Sequence, residues 1–350
     1  MMPPTSNLQP QTVLVTGVAG FIGSNLAERL LKVGGDRLEE AKTAILKASN
    51  LQPQTSDLQP QTYRVIGIDN LAYGVREQVP GDVEFHKLDI RVRDIYPLFD
   101  GVDCVFHLAA KNCISDCQDD PVETADINVA GTVNVFEAAR RASVGKVVYA
   151  ESSAMYEGSE ILPTPESEVT PESFYATSKA ASMLFAEAYS RFSDLRFTAL
   201  RYFCVYGPRQ DYRRTIPPVM SAFIIKLLRG ERSVIYGTGE KRRDFVYVDD
   251  INDFHLQCMT DPRTDGQVYN LGSGHNHSVL DIYELVSDIL DVHIPAIHKA
   301  DLPGEAQDTL ADIGKAEALG WRPKTDIKTG LRNMVEYIRR ELEKGNVPWL

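Results

Sequence analysis

The chain has 350 residues, of which 43% are hydrophobic and 25% charged, and its formal net charge is -12. This length and composition fit one large or two modest domains with well-buried cores. The acidic balance argues against general binding to nucleic acid, because phosphates are repelled over most of the surface, while a local anion pocket stays compatible with it.

The sequence predicts neither a membrane anchor nor export. No run of 18 apolar residues is present, and the start "MMPPTSNLQPQT" lacks the basic and apolar regions of a signal peptide. We therefore expect no membrane partner and a cytoplasmic protein. Five cysteines suit free thiols in a reducing compartment. Cys113 and Cys117, with His107 upstream, resemble part of a metal site, but no fourth ligand is evident and no metal is expected.

A heptad, S-[N/D]-L-Q-P-Q-T, occurs at Ser6–Thr12, Ser49–Thr55 and Ser56–Thr62. Its proline and glutamine content predicts exposed, extended chain, and residues 1–10 are expected to form a flexible tail. Asp36–Ser49, before the last two copies, has the pattern of a short amphipathic helix. The region is either an arm for a partner or an expanded surface loop, and its lack of a buried face favours the loop.

From Thr12 onward, short β-rich runs alternate with helical segments. This alternation predicts right-handed βαβ units on a parallel sheet. From Cys204 onward the elements are less regular, which predicts a smaller domain over the carboxyl edge of the sheet. The predicted strands are "TVLVTG", "YRVIGID", "VEFHKLD", "DCVFHLA", "KVVYAES" and "RFTALRY", and the predicted helices are "GFIGSNLAERLLK", Pro121–Ala142 and Pro171–Phe192.

The stretch "TGVAGFIG", Thr16–Gly23, joins the first strand to the first helix. Gly17 permits a tight turn, Gly20 lets the backbone approach a pyrophosphate, and Gly23 allows close packing of helix and strand. Glycine spacing alone is weak evidence, but the strand–turn–helix context is typical of a dinucleotide site. The fold class expected is α/β, with a Rossmann-type doubly wound parallel sheet and a smaller C-terminal α/β substrate domain.

An acidic residue is expected about 20 positions after the glycines, at the end of the second strand. Asp69 ends that strand, 46 positions after Gly23. Without the 28 residues of 35–62, the spacing between Gly23 and Asp69 would be 18 positions, close to the expected value. The segment 35–62 is therefore interpreted as an insertion. A carboxylate here accepts both ribose hydroxyls and repels a 2′-phosphate, which favours NAD over NADP; the alternative is a turn cap. Asp89 is either an adenine contact or a solvated turn residue.

The stretch "FYATSK" places Tyr175 and Lys179 one turn apart on one face of a helix. A tyrosine phenol beside a fixed cation is a candidate for proton transfer, although such a pair also arises by chance. The nucleotide site gives the pair a chemical context.

With these motifs, the chain resembles the extended short-chain dehydrogenase/reductase family, in its nucleotide-sugar epimerase branch. The resemblance covers nearly everything except the first ten residues and the insertion. It implies NAD as cofactor, a nucleotide-diphosphate sugar as substrate, and a nucleotide-binding domain at 11–203. It also implies a mainly substrate-binding part at 204–350, from which 243–262 returns to the first domain. The matching stretches are "VLVTGVAGFIGSNLAERLL", "VIGIDNL", "VFHLAA", "INVAGTVNVFEAAR", "FYATSKAA", "LRYFCVYGPRQ", "RRDFVYVDDI", "YNLGSG" and "TLADIGKAEALGWRP".

The resemblance assigns Tyr175 as the catalytic acid/base, with Lys179 favouring its phenolate form and holding the nicotinamide ribose. Ser152 takes the catalytic hydroxyl position in "AESSAMYEG", with Ser153 as the alternative. Asn128 is expected to order structure or a water. The residues expected to bind the cofactor are Gly17, Gly20, Phe21, Ile22, Gly23, Asp69, Asn70, Asp89, Ile90, Leu108, Ala109, Ala110 and Lys179.

The reaction implied is epimerisation, most simply at carbon 4 of a UDP-hexose or UDP-N-acetylhexosamine, through a transient keto sugar. Ser153 and Ala154 stand where dehydratases and glucuronate decarboxylases of this family carry acids, which disfavours those reactions unless Glu151 or Glu157 supplies the acid. Two further alternatives are a net oxidoreductase on another alcohol or ketone and a non-catalytic NAD-binding regulator.

For the substrate, the resemblance assigns Arg243 to a phosphate, with an ion pair to Asp244 or Asp249 as the alternative. Thr309 lies near the position that limits sugar size, where a small residue would admit an N-acetyl group. The full set of expected substrate contacts is Ser152, Ser153, Tyr175, Cys204, Arg209, Arg243 and Thr309.

At two places the sequence differs from the residues that relatives commonly use to bind the substrate. Cys204 stands where relatives commonly have an asparagine, and Leu302 and Gln307 stand where many place a second phosphate-binding arginine. The missing contacts are expected from a set of other arginines, namely Arg209, Arg213 or Arg242.

Relatives commonly pair through two long helices, here about Pro121–Ala142 and Pro171–Phe192, so a homodimer is expected. Met183, Phe185 and Tyr189 serve either this interface or the core.

Overall fold

A computed structural model describes residues 12–33, 63–212, 217–301 and 307–346. The predicted tail, the heptads except Thr12, the Asp36–Ser49 helix and the whole of the predicted insertion lie outside these ranges. The strands are β1 (Thr12–Thr16), β2 (Arg64–Asp69), β3 (Glu84–Lys87), β4 (Cys104–His107), β5 (Lys146–Ser152), β6 (Arg196–Tyr202), β7 (Cys204–Tyr206), β8 (Val234–Tyr236), β9 (Arg242–Tyr247), β10 (Gln267–Leu271), β11 (Asn276–Ser278) and β12 (Ile297–Lys299).

The helices alternate with the strands through the first half of the chain. They are α1 (21–33), α2 (Ile114–Asp119), α3 (Pro121–Ala125), α4 (Thr132–Arg141), α5 (Phe174–Phe192), α6 (Val219–Leu228), α7 (Val248–Thr260), α8 (Val279–Leu290), α9 (Gly314–Glu317) and α10 (Ile327–Glu343).

Seven strands form one sheet in the order β10-β6-β5-β4-β1-β2-β3, and every pairing in it is parallel. The strand order reverses between β1 and β4, and in such sheets ligands bind at the carboxyl ends of the strands beside that reversal. The predicted Rossmann-type doubly wound fold is confirmed.

Helices cover both faces of this sheet, which is why β1 and β4 read as continuous apolar runs rather than alternating ones. On one face, Val13 and Val15 share a core with Leu26 of α1 and Phe254 of α7. On the other face, Leu14 packs into a core with residues of α4 and α5, including Phe136 and Met183.

The later part of the chain adds two small sheets over a third core. In one sheet β9 lies between β11 and β7, and in the other β8 pairs with β12. The third core contains Phe223 of α6, Val286 of α8 and Met334 of α10. This part of the chain starts at the carboxyl end of β6, because β7 begins two residues after β6 ends.

The first long helix keeps its predicted bounds of about Pro121–Ala142 to within one residue, and the second differs from its predicted bounds at its start. The first is a run of α3, a π-helical turn at Asp126–Gly131, and α4. The second begins at Phe174 rather than Pro171, because the Ser173 hydroxyl accepts a hydrogen bond from the Ala176 N–H and so forms the N-cap. The predicted start at Pro171 is therefore wrong by three residues.

Candidate active site

The glycine loop lies at the carboxyl end of β1, at the strand-order reversal. Gly17 has φ 72°, and a Cβ there would lie 2.8 Å from the Ala109 nitrogen. A Cβ on Gly23 would lie 2.1 Å from the Gly17 carbonyl oxygen, so α1 can approach the strand this closely only with glycine there. At Gly20 an added Cβ would meet, among the described residues, only the Gly17 oxygen, at 3.2 Å, which is compatible with the close approach of a ligand.

α1 begins directly after this loop, with Phe21 and Ile22 half-buried in its first turn. The N–H groups of a first helical turn have no partner within the helix, and they attract anions. The loop and the helix start therefore fit a dinucleotide pyrophosphate.

Thr16 joins the ends of β1 and β4, a role that the sequence analysis did not assign. Its hydroxyl oxygen accepts hydrogen bonds from the Leu108 and Ala109 N–H groups at 3.2 and 3.3 Å, and it lies 2.7 Å from His107 Nδ1. Three predicted cofactor residues, Leu108, Ala109 and Ala110, follow β4 and are half-buried beside Gly17. The threonine thereby fixes the path of the backbone next to the glycine loop.

Asp69 ends β2, and its carboxylate points at the glycine loop. Its oxygens accept hydrogen bonds from the Ala19 N–H at 3.0 Å and the Leu71 N–H at 2.8 Å. Burial raises the pKa of Asp69, and these two bonds oppose that effect. An ionised carboxylate has further lone pairs, so Asp69 fits the predicted contact with a ribose.

Asp89 has both of its oxygens engaged within the protein. Arg91 donates to them at 2.9 and 2.8 Å, and Asn70 Nδ2 donates at 2.9 Å. The bonds from Arg91 lower the pKa of Asp89 to about 2. Ile90 is buried, against Gly131. The contact of Asp89 with adenine stays a prediction. An adenine would have to share the Asp89 carboxylate with Arg91, which already binds both of its oxygens.

The tyrosine–lysine pair lies in the first two turns of α5. Lys179 is buried, and its Nζ donates to the Ala150 carbonyl oxygen at 2.8 Å, which ties α5 to the end of β5. Tyr175, one turn earlier, is half-buried. Ser152 is the last residue of β5, and its hydroxyl accepts from the Ala154 N–H at 3.1 Å. The three predicted catalytic residues therefore belong to one junction of strand and helix.

Lys179 is electrostatically unusual. Burial lowers its pKa to about 8, and the nearby Glu151 carboxylate opposes that effect. Its ammonium also lies 5.2 Å from the ring centroid of Tyr149. The lysine is therefore still charged at neutral pH, although its proton is held less firmly than in water.

Glu157 anchors the start of α5 rather than facing an open site. Its carboxylate accepts from the Ser173 N–H at 2.7 Å, the Ser173 hydroxyl at 2.9 Å and the Glu172 N–H at 3.2 Å. A carboxylate at a helix N-terminus also interacts favourably with the helix dipole. These bonds hold the turn that presents Tyr175.

Asn128 lies in the π-helical turn and connects three elements. Its Nδ2 donates to the Lys111 carbonyl and to the Ser178 hydroxyl, each at 2.9 Å, and its Oδ1 accepts from the Lys111 N–H at 2.8 Å. The π turn supplies this geometry, as such turns often do near functional sites. The contacts agree with the ordering role expected for Asn128.

The residues that were expected to bind the substrate do not all lie in one place, and two of the arginines are directed to different parts of the fold. The Arg243 guanidinium donates to the carbonyls of Arg242 and Gln307, at 2.9 and 3.2 Å. The Arg209 guanidinium is directed to α1, where it contacts the Glu28 carboxylate and donates to the Ser24 carbonyl at 3.0 Å.

The other substrate-side residues lie around the small β9 sheet. Arg242 donates to Asn276 Oδ1 at 2.9 Å. The Thr309 hydroxyl accepts from the Asp244 N–H at 3.2 Å. Cys204 begins β7 and Ser153 follows β5, and both are half-buried. Leu302 and Arg213 lie outside the described residues.

The cysteines do not assemble a metal site. All five are free thiols, and the Cys117 thiol lies 3.6 Å from the Lys111 carbonyl oxygen. Within the described residues no cluster of three or more His, Cys, Asp or Glu side chains is placed to hold a metal. None of the helices in those ranges is long and apolar enough to cross a membrane.

A glycine loop with an acidic residue beside it, and a YxxxK pair over the end of β5, define a class of nucleotide-dependent enzyme. The chain belongs to the NAD dependent epimerase/dehydratase family, whose profile matches residues 54–272. The predictions of the family and of NAD as its cofactor are confirmed.

Particular relatives give a finer comparison. A putative UDP-glucose 4-epimerase of Methanocaldococcus jannaschii is 32% identical over 331 residues, covering 93% of this chain and 98% of that protein. The structure of UDP-glucose 4-epimerase from Thermotoga maritima with UDP-glucose is 30% identical with a TM-score of 0.82, covering 95% and 99% of the two chains. UDP-N-acetylglucosamine 4-epimerase from Methanobrevibacter ruminantium, with UDP-N-acetylmuramic acid, is 28% identical with a TM-score of 0.84, covering 95% and 100%.

Proposed function

We propose that this protein epimerises nucleotide-diphosphate sugars at carbon 4, acting on UDP-hexoses or UDP-N-acetylhexosamines with NAD. The observation that carries the proposal is the 2.8 Å bond from Lys179 Nζ to the Ala150 carbonyl, which brings the tyrosine-bearing helix onto the strand that ends at Ser152. The names of the relatives that match nearly the whole chain support the choice of UDP-sugars and of carbon 4.

Within this proposal, Tyr175 takes the proton from the sugar hydroxyl and later returns it, and Ser152 shares the hydrogen bond to that oxygen. The charged Lys179 one turn away favours the phenolate form of Tyr175. NAD, when bound, accepts the hydride of the same carbon and gives it back, so the keto sugar is reduced on its other face after turning. Cofactor and enzyme end as they began.

The cofactor residues of the proposal are the glycine loop, the first turn of α1 and Asp69. The part at 11–203 binds the nucleotide cofactor, and the part at 204–350 mainly binds the substrate. The segment 243–262 returns to the first part, which is supported by the burial of Ile251, Phe254 and Cys258 of α7 in the core of the large sheet.

Arg243 is the proposed diphosphate contact, since a guanidinium fork suits two phosphate oxygens. Its partners include the backbone carbonyls of Arg242 and Gln307, and a phosphate would be a stronger partner than these neutral acceptors. Arg209 and Arg242 each contact a carboxylate, of Glu28 and Asp281 respectively. The resemblance to the family favours Arg243 among the three.

Dehydration and decarboxylation are the nearest alternatives, and they need an acid near the sugar. Glu157 is engaged by three hydrogen bonds at the start of α5. The Glu151 side chain is 0% exposed. Neither carboxylate is available to an open site, which weighs against both alternatives.

The decisive experiment incubates the purified protein with UDP-glucose and, separately, with UDP-GlcNAc, and follows both the sugar products and the absorbance near 340 nm. We expect the 4-epimer to accumulate while NAD stays bound. Stoichiometric release of NADH would instead identify a net dehydrogenase. Binding of NAD without any turnover would favour the non-catalytic regulator.

The same assay tests the size of the sugar pocket. Because Thr309 is small, we expect the acetamido sugar to be turned over at least as well as the plain hexose. Activity on UDP-glucose alone would contradict this expectation.

We further propose a homodimer in a reducing compartment such as the cytoplasm, which suits the five free thiols. Leu184, Phe185 and Phe192 on α5 are 67%, 46% and 82% exposed, and Val122 on α3 is 77% exposed. Met183, by contrast, is buried in the core. Sedimentation velocity tests the proposal, and Leu184→Glu is expected to yield monomers.

A further inference from the structure

The end of β5 carries a buried carboxylate that the proposed reaction does not use. Glu151 precedes Ser152, and its side chain is 0% exposed. Side chains alternate across a strand, so Glu151 lies on the Tyr149 face of β5, against α5, while Ser152 projects from the opposite face. Glu151 is therefore placed beneath the catalytic helix rather than in the open site.

Two cations border this carboxylate. Arg201 is the register partner of Glu151 on β6, and its Nε lies 3.5 Å from Glu151 Oε2. The Lys179 ammonium lies near enough to interact electrostatically with it, since its Nζ donates to the backbone carbonyl of the preceding residue, Ala150. Two hydroxyl groups also face it, Tyr149 from the same strand and Tyr156 from the turn that follows.

Arg201 is itself held on its other side. One terminal nitrogen of its guanidinium donates to the Tyr156 hydroxyl at 3.0 Å and to the Glu166 carbonyl at 2.7 Å. Tyr156 in turn donates to Asn270 Oδ1 at 2.5 Å. These bonds fix the position of the cation that faces Glu151.

The arrangement is poorly explained by stability alone. Among the residues that the structure describes, neither carboxylate oxygen of Glu151 makes a well-formed hydrogen bond, although Tyr149 and Arg201 lie near enough to interact with it. Buried charges without such bonds are costly, and apolar replacements of buried ion pairs are often neutral or stabilising. Strongly perturbed buried groups beside a catalytic residue are more typical of functional tuning.

We infer that Glu151 is a positioning residue for Lys179: its buried carboxylate, held opposite Arg201, supplies the counter-charge that keeps the Lys179 ammonium charged and in place one turn from Tyr175. The inference rests on the proposed function only in giving Lys179 a catalytic task. Burial lowers the pKa of Lys179 to about 8, and Glu151 and the Cys117 thiol oppose that effect. Buried His107 also lies near enough to interact with the Lys179 charge. Burial raises the pKa of Glu151 to about 7, and Lys179 and Arg201 oppose that effect. Each of the two groups therefore favours the charged form of the other.

The test compares wild type with Glu151→Gln, which keeps the shape of the side chain and removes its charge. The Lys179 pKa is measured directly in NAD-saturated protein by NMR of lysine labelled with ¹³C at Cε, with Lys179→Arg to assign the signal. We expect Glu151→Gln to increase the proton dissociation constant of Lys179 at least about tenfold, one pKa unit. Glu151→Asp keeps the charge and is expected to lie between the two.

The matched control, Glu166→Gln, also replaces a glutamate by glutamine, at a residue that contacts the other side of Arg201. Glu166→Gln leaves the backbone carbonyl that Arg201 contacts, and the amide oxygen can still accept from the Asn270 N–H. We expect it to leave the Lys179 titration unmoved. An equal shift in the Glu166 and Glu151 variants would overturn the specific role of Glu151.

An unchanged Lys179 pKa in Glu151→Gln would also overturn the inference. If Glu151→Gln does not fold, the titration of the wild-type protein tests the inference instead. The Lys179 signal should then show an additional inflection near pH 7 as Glu151 ionises. Absence of this inflection would contradict an interaction between Glu151 and Lys179. The NMR measurement needs no substrate, so it stands even if epimerase activity is not found. Where activity is found, the alkaline limb of kcat/KM should move with the Lys179 pKa, whereas a merely structural defect lowers the rate equally at every pH.

Discussion

His255, in α7, is a buried imidazole that should make the stability of the fold depend on pH. Its side chain is fully buried, with Nε2 2.7 Å from the Tyr202 hydroxyl and its ring packed edge-on against Phe106 at a centroid distance of 5.5 Å. Burial lowers its pKa from 6.5 to about 3, and the Ile251 carbonyl opposes that effect. A neutral ring shares one hydrogen bond with the tyrosine hydroxyl, whichever of the two is the donor.

The direction in which stability changes with pH follows from the pKa of His255 in the folded and in the unfolded chain. The unfolded chain binds a proton to this imidazole below pH 6.5, while the folded protein does not until about pH 3. The stabilisation is therefore complete above pH 6.5 and is lost as the pH falls from there towards 3. Between about pH 7.5 and about pH 5 the loss is roughly 2 kcal/mol, from about 1.4 kcal/mol for each unit below 6.5.

The assay is urea unfolding at both pH values, with wild type and His255→Gln each saturated with NAD. The glutamine oxygen can still accept from Tyr202, and the lost ring packing weakens the variant by the same amount at each pH. Other titrating groups, including buried His107 and Glu151, are common to both proteins and cancel in the comparison. We expect wild type to lose about 2 kcal/mol more than the variant on acidification.

Exposed His293 provides the control, and His293→Gln should retain the full wild-type dependence on pH. An equal loss of stability in wild type and His255→Gln would refute the reasoning, because it would mean that the pKa of this imidazole is the same in the folded and the unfolded chain.

Three further predictions concern the site. Tyr175→Phe should lower kcat by about 10²–10⁴-fold while NAD binding, followed by fluorescence titration, stays at the wild-type level; unchanged turnover would contradict its proton-transfer role. Glu157→Ala should cost about 1.5–3 kcal/mol in urea unfolding and lower kcat, because the start of α5 loses charge-assisted bonds. Gly23→Ala should abolish NAD binding in the same titration, since its Cβ would lie 2.1 Å from a backbone oxygen. The Cβ of Gly81→Ala would meet no described residue within 4 Å, so this control should bind NAD normally.

The fold was predictable because its main signals are local. Parallel strands buried on both faces appear as apolar runs, and glycines at fixed spacing mark the first turn. The start of α5 was predicted at Pro171 and lies at Phe174, because the capping bonds that decide it come partly from Glu157, far back along the chain. The π turn around Asn128 likewise depends on contacts with Lys111 and Ser178.

The site residues that belong to a sequence motif could be predicted. Residues whose role depends on which of several similar side chains the fold brings to the site were harder to predict. The motifs predict Tyr175, Lys179 and Asp69, and the structure brings the first two to the end of β5. Arg209 was one of several arginines considered for the diphosphate, and its contact with Glu28 on α1 has no local signature. Thr16 was missed because a threonine at the end of a strand is common, and only the fold shows that it bridges β1 and β4.

The end of β5 shows how one short stretch serves three different purposes. Glu151 was visible as a lone acidic residue in an otherwise apolar strand, and the sequence offered it and Glu157 as alternative acids for a sister reaction. The alternation of side chains directs Glu151 to Lys179 under α5, and the turn that follows directs Glu157 to the start of the same helix. We therefore propose that Ser152 alone of these side chains serves the sugar, and that the two glutamates act on the helix that carries Tyr175.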